Sequence, residues 1–338
     1  MPRLRRSNCA GPGIVRRRRG RGFAYFDADG NRVTDPEILQ RVNELVLPPA
    51  WQDVWICPFP NGHIQATGID SAGRKQYRYH DQWRIKRDRA KHDKVLELAE
   101  LLPETRRRVA EHLDQPGLPR DRVLACAVRL LDLGFFRIGG ESYAETNETY
   151  GLATIRKEHV SIDGDAVVFE YVAKGSKDRY QSVVDDQVRE IVRALKRRRG
   201  GGPELLAWKD ALGGWHDVRS ADVNEYIQLL TAGEFTAKDF RTWHATVLMA
   251  VALAVSGNAR TSPTARKRAV ARAYREVADY LGNTPAVARS SYVDPRIVDL
   301  YFDGKTIAPA LDQLGADQEY GQMATLGAIE SAVRETLR

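Results

Sequence analysis

A change of hydrophobic spacing near residue 90 constrains the fold more than any other feature of this sequence. Before it, apolar residues come in short runs separated by turn formers; after it, they recur at helical spacing. Phe23–Phe26, a turn at Asp27–Asn31 and then Arg32–Thr34 predict a hairpin. Runs at Val54–Cys57, Ile64–Thr67 and Lys75–Tyr79 follow, punctuated by Pro48, Pro49, Pro58, Pro60, Gly62, Gly68 and Gly73. Helical spacing then covers Lys94–Leu102, which Pro103 should end, Glu104–Leu113 and Asp121–Leu133. A second β-like stretch, Val160–Ile162, Val167–Val172 and Tyr180–Val184, turns at Asp163–Asp165. Ser220–Leu230, Thr236–Val255 and Thr264–Leu281 read as helices, the second opened by Thr236 and Asp239 and stopped by Gly257.

These patterns predict an α+β chain. A small N-terminal β-sheet domain occupies residues 22–90. A larger, mainly α-helical domain with a small β-hairpin sheet occupies 91–308, and 309–338 form a peripheral helix and tail. At 338 residues, two such domains can each bury a core.

Charge is unevenly distributed. The net charge is +7, yet residues 1–21 hold eight arginines and no acid, and the remainder balances at −1. That segment reads as a basic disordered arm able to gain affinity for a polyphosphate by releasing counterions. The longest apolar run, Ala245–Val255, is too short to span a bilayer. Cys9, Cys57 and Cys126 form no CxxC pair, which argues against a disulfide framework or a zinc knuckle and fits a reducing cytoplasm.

The chemistry is bounded first by what is missing. Gly200–Pro203 lacks the lysine and hydroxyl of a phosphate-binding loop, and no HExxH pair occurs. The seven histidines are scattered, and His244 is expected to pack beside Trp243. An enzyme acting on phosphate with this sequence is expected to need no cofactor and no metal, so its own cations must stabilise the developing charge. Arg137 follows an apolar helix and precedes Ile138-Gly-Gly140, where backbone can approach a ligand closely. Lys174 sits at the tip of a predicted hairpin, and Arg241 near the start of a long apolar helix. Gly282 should end one helix, with Thr284 capping the next and Pro285 at its first position. Tyr292 then falls about two turns further on. Taken singly, each of these residues reads as a surface ion pair or an ordinary amphipathic tyrosine.

As an ordered set they resemble the type IB DNA topoisomerases, specifically the small poxvirus-like bacterial branch of the tyrosine recombinase/topoisomerase IB catalytic fold. The resemblance covers nearly all of residues 22–305. It rests on Leu47-Pro-Pro-Ala-Trp51, the stretch Gly62–His80, Arg137-Ile-Gly139, Thr146–Leu152, Lys174, Lys238-Asp-Phe-Arg-Thr242 and Leu281–Tyr292. It implies that Tyr292 attacks a phosphodiester to give a 3′-phosphotyrosine, that Arg137 and Arg241 bind the nonbridging oxygens, and that Lys174 protonates the leaving 5′ oxygen. Asn283 stands where the viral enzymes carry histidine; it can donate a hydrogen bond but cannot titrate. The resemblance further implies ATP-independent relaxation of both supercoil signs, by a cytoplasmic, nucleoid-associated monomer whose two domains clamp duplex DNA. DNA contacts are expected from Arg74, Gln76, Tyr77 and Tyr79, with the tyrosines on one strand face, and from Tyr143. Residues 74–91 carry eight Lys and Arg against Asp81 and Asp88; Arg260, Arg266, Lys267, Arg268, Arg272 and Arg275 lie in a stretch without acids. These line a DNA channel or form a solvated helix face.

The nearest alternative is a tyrosine recombinase, which normally shows HxxR where this chain reads Lys238-Asp-Phe-Arg241. A DNA-binding protein without catalysis and a metal-dependent nuclease are the other classes.

Overall fold

The computed structural model describes residues 3–257, 262–313 and 325–338, with Ser142 and Tyr143 described as backbone only. Two compact units, 1–91 and 92–338, divide the chain. The smaller contains β1 (Ile14–Arg19), β2 (Gly22–Phe26), α1 (Pro36–Glu44), β3 (Gln52–Ile56), β4 (Ile64–Ile69) and β5 (Lys75–Tyr79). Its strands form one antiparallel sheet in the order β2-β1-β3-β4-β5. Ile14, Val54, Ile56 and Ala66 from one sheet face and Val42 and Leu45 from α1 and its end make its core.

Two expectations change here. The segment read as a disordered arm supplies β1, which pairs with β2 along Val15↔Phe26 to Arg19↔Gly22. Arg16 is buried and donates to the carbonyls of Leu47, Pro48 and Trp51 at 3.3, 2.9 and 2.8 Å, so the guanidinium organises the Leu47–Trp51 segment. The predicted hairpin shrinks to a single bridge, Phe26↔Arg32, because β1 takes the ladder of β2 instead.

In the larger unit the helices build the core. Helix α2 (Asp81–Leu113) contains the division between the units and continues through Pro103. Proline removes one ladder hydrogen bond, but Leu98, Leu102, Thr105 and Val109 on both sides of it are buried, and their burial outweighs that loss. There follow α3 (Arg120–Gly134), α4 (Glu141–Asn147), then β6 (Val160–Asp163), β7 (Ala166–Ala173) and β8 (Lys177–Val184) as a three-stranded antiparallel sheet. After α5 (Asp186–Arg197) come the short pair β9 (Ala207–Lys209) and β10 (Trp215–Asp217), α6 (Ser220–Thr231), α7 (Ala237–Val255), α8 (Pro263–Leu281), α9 (Pro285–Ser291), α10 (Pro295–Phe302) and α11 (Ala328–Leu337).

Helix α7 is the centre of this unit. Thr236 caps it and donates its own N–H to Asp239 at 2.9 Å, as the sequence predicts. Helix α11, expected as peripheral, buries Ile329, Val333 and Leu337 in the same core. Among the described residues no helix is long and apolar enough to cross a membrane.

Candidate active site

Four consecutive carbonyls at the end of α8 are occupied by three arginines. Arg179 of β8 donates to Asp279 and Tyr280 at 3.1 and 2.8 Å. Arg241 of α7 donates to Leu281 at 2.8 Å, and Arg137, just past α3, to Gly282 at 2.9 Å. A helix C-terminus leaves its last carbonyls without intrahelical partners and carries partial negative charge, which favours cations there. Gly282 closes α8 at φ +62°, and a Cβ there would lie 2.9 Å from the Arg179 guanidinium, so only glycine suits the position.

The arginines are braced without being used up. Arg241 is buried; its Nη1 donates to the Phe135 carbonyl and its Nη2 to Leu281, and its Nε has no partner. Arg137 directs Nη2 to Gly282 and to Asn283 Oδ1, leaving Nη1 and Nε as donors. With its oxygen fixed on Arg137, Asn283 keeps a buried Nδ2 without a partner. Desolvation pushes the ionisation of both arginines down, opposed by the nearby Tyr292.

Thr284 caps α9 with Pro285 at its first position, and Tyr292 ends the helix as the sequence predicts. The Arg241 guanidinium lies 5.4 Å from the Tyr292 ring centre. Partial burial raises the Tyr292 phenol, but Arg241, Arg137 and Lys238 outweigh it and hold the phenol below its ordinary value. Lys174 occupies the turn between β7 and β8. It lines one cavity of about 250 Å³ together with Arg137, Arg241, Lys238, Thr149 and Tyr292. Four cations and no carboxylate appear among the described residues lining it. A pocket lined by several cations suits a phosphodiester.

Residues 80–301 match the family described as eukaryotic DNA topoisomerase I, catalytic core, and residues 22–70 match bacterial DNA topoisomerase IB, N-terminal domain. The chain is similar to DNA topoisomerase 1B of Acanthamoeba polyphaga mimivirus, at 30% identity over 293 residues, covering 86% of this chain and 87% of that one. DNA topoisomerase 1B of vaccinia virus (strain Copenhagen) is 22% identical over 238 residues, covering 70% and 72%.

The chain belongs to the type IB DNA topoisomerase family.

Within that family frame, several residues take unexpected places. Lys238 and Thr149 line the cavity although neither was singled out from the sequence. The Thr149 hydroxyl is buried without a partner. Both sit in motifs that carry the resemblance to the type IB family, which was the available signal. Gly139 was expected to admit a ligand, and it does line the cavity, but its close neighbour is Gly151 of the chain itself: a Cβ on Gly151 would fall 2.5 Å from Gly139. Leu152 and Ala153 donate to the Arg137 and Ile138 carbonyls at 2.8 Å, locking the Arg137 backbone.

Of the residues expected to contact DNA, Tyr77 and Tyr79 share one face of β5, their rings stacked 6.0 Å apart. Arg74 and Gln76 both reach Asp70, at 2.9 and 2.8 Å. The two arginine hydrogen bonds and that of Gln76 hold Asp70 down to about 2. The Tyr143 side chain and Arg260 lie outside the described residues. On α8, Arg266 donates to the Phe302 carbonyl at 2.8 Å and Arg272 to Ser256 at 2.9 Å. Lys267, Arg268 and Arg275 are exposed. Among the described residues no group of three or more His, Cys, Asp or Glu could hold a metal ion.

Proposed function

We propose that this chain is a DNA topoisomerase that cuts one strand of duplex DNA through Tyr292, lets the duplex swivel, and reseals it without ATP. One observation carries the reading: Arg137, Lys174, Arg241 and Tyr292, spread over 156 residues of sequence, line a single cationic cavity, with Asn283 bonded to Arg137 beside it.

The Tyr292 oxygen attacks the phosphorus and loses its proton to solvent, and the bond to the 5′ oxygen breaks as Lys174 gives that oxygen a proton. Charge on the nonbridging oxygens is met by the remaining N–H donors of Arg137 and Arg241 and by the Asn283 amide. Arginine's planar fork suits two oxygens at once, which lysine does not match. The ester retains the bond energy, so the reverse attack by the 5′ hydroxyl restores the strand. The N-terminal sheet presents Tyr77 and Tyr79 to DNA, and a monomer closes around the duplex.

The test is relaxation of supercoiled plasmid in EDTA without ATP, for the wild type and Tyr292→Phe. The wild type relaxes both supercoil signs and the variant neither; robust relaxation by the variant would sink the mechanism. Denaturant-trapped complexes carry protein on the 3′ end, and a 5′ linkage refutes the polarity.

A further inference from the structure

A buried ionic network ties the last helix of the chain to the arginine pocket. Arg106 of α2 donates from Nε and Nη2 to Asp132 of α3 at 2.7 and 3.1 Å. Through Nη1 and Nη2 it also donates to Glu330 of α11, at 2.6 and 3.1 Å. Glu330 accepts in addition from Trp243 Nε1 at 2.7 Å. Asp132 lies 3.1 Å from His244 Nε2, and the Phe135 ring meets the His244 ring edge-on at 5.5 Å. The carbonyl of that same Phe135 receives Arg241 Nη1. Trp243, His244, Asp132 and Glu330 are all buried. His244, expected merely to pack beside Trp243, is thus part of a polar chain.

Such a network is a costly way to fill a core. Two carboxylates and a guanidinium must be desolvated, and apolar side chains of equal volume often stabilise a fold as well or better. What apolar groups cannot supply is direction. A guanidinium held by two bidentate carboxylates fixes the rotation and spacing of every helix it bridges. Here those are α2, α3 and α11, and α7 is attached through Trp243 and His244. Arg241 lies on α7 two residues before Trp243, and Arg137 follows Asp132 by five. Both arginines therefore stand on backbone that the network orients.

We propose that Glu330 is a positioning residue: by holding Arg106 and Trp243 it aims Arg241 and the Arg137 segment at the scissile phosphate. This rests on the reading of Arg241 and Tyr292 given above. A helix at the far end of the sequence then sets the rate of the chemistry without touching DNA.

The experiment uses the full chain with Glu330→Gln, which keeps volume and removes charge. Covalent complex is followed on a nicked duplex that the wild type cleaves and that traps each enzyme molecule after one turnover, with DNA saturating and in excess. The end point counts competent molecules and the rate constant reads alignment. Positioning predicts a rate constant lower by about ten- to a hundred-fold, in line with the cost of misplacing a catalytic group by about 1 Å. The end point and the DNA Kd should stay within about twofold of wild type. A rate constant within about twofold of wild type overturns the proposal, including where the end point falls, because lost end point at unchanged rate is loss of folded molecules alone. If circular dichroism shows that Glu330→Gln does not fold, Trp243→Phe, which removes the N–H donated to Glu330 along with part of a buried ring, decides on the same two readings. A wild type that forms no covalent complex defeats the nucleophile assignment itself, and the positioning proposal with it.

Discussion

Arg241 holds its guanidinium 5.4 Å from the centre of the Tyr292 ring, on a cavity that both side chains line. On the proposed mechanism, the pair eases ionisation of the attacking phenol. A free tyrosine ionises near about 10, so only about one in a thousand is phenolate at pH 7. Here burial opposes ionisation and the cations Arg241, Arg137 and Lys238 prevail. Single-turnover cleavage should therefore rise with pH along a limb whose midpoint lies below the free-phenol value. Arg241→Gln should move that midpoint up and slow cleavage by about 10²- to 10³-fold, the usual loss for one transition-state donor. An unmoved midpoint would assign the shift to other groups.

Asn283 offers a second test. Its oxygen is committed to Arg137 and its amide nitrogen is buried without a partner. Asn283→Ala should slow cleavage by about 10- to 100-fold, the worth of a hydrogen bond to a charged group, about 1.5–3 kcal/mol. Asn283→Asp should be slower still, because a carboxylate donates nothing and draws Arg137 away from the phosphate. Rapid cleavage by Asn283→Asp would show that the amide does not face the reacting phosphate.

What the sequence made legible follows from local physics. Gly282, Thr284 and Pro285 announced the α8–α9 junction because a left-handed stop, a side-chain cap and a fixed φ are each one-residue effects. Strands β3 to β5 were legible from alternation and turn formers. β1 was not, since four consecutive arginines look like solvated chain until one of them finds the carbonyls of Leu47, Pro48 and Trp51. Pro103 misled for the opposite reason: its local penalty is real, and only tertiary burial on both sides overrides it. Glu330 gave no signal and Lys238 only its place in a family motif, because their roles depend on partners 224 and 54 residues away.

The ordered β1 leads to a prediction about salt. The pairing register sets Val15, Trp55, Thr67 and Tyr77 in one row across the sheet. Strand alternation puts Arg17 and Arg19 on the face of Val15, and both are exposed. If that face meets the DNA backbone, Arg17→Gln with Arg19→Gln should weaken binding and flatten the plot of log K against log salt by about 0.9 per lost phosphate contact. Cleavage at saturating enzyme should be unchanged. An unaltered salt slope would place these arginines off the DNA.

Acid stability is set in part by Asp132. Burial alone would raise its ionisation, but Arg106 and His244 outweigh burial and depress it well below the ordinary aspartate range. A carboxylate with a depressed folded pKa contributes stability that is complete above its unfolded value of about 3.9 and drains away as pH falls below that. Over that interval the unfolded chain binds a proton at this site that the native chain does not, so stability should fall by up to about 1.4 kcal/mol per pH unit from this group. Asp132→Asn should cost about 3–5 kcal/mol at neutral pH, because the buried Arg106 loses one of its two charged partners. It should also remove this share of the acid slope. Urea unfolding between about pH 6 and 2.5, wild type against Asp132→Asn, reads both effects. Parallel curves across that range would mean that Asp132 titrates in the native chain as it does in the unfolded one, and that Arg106 and His244 do not hold its ionisation down.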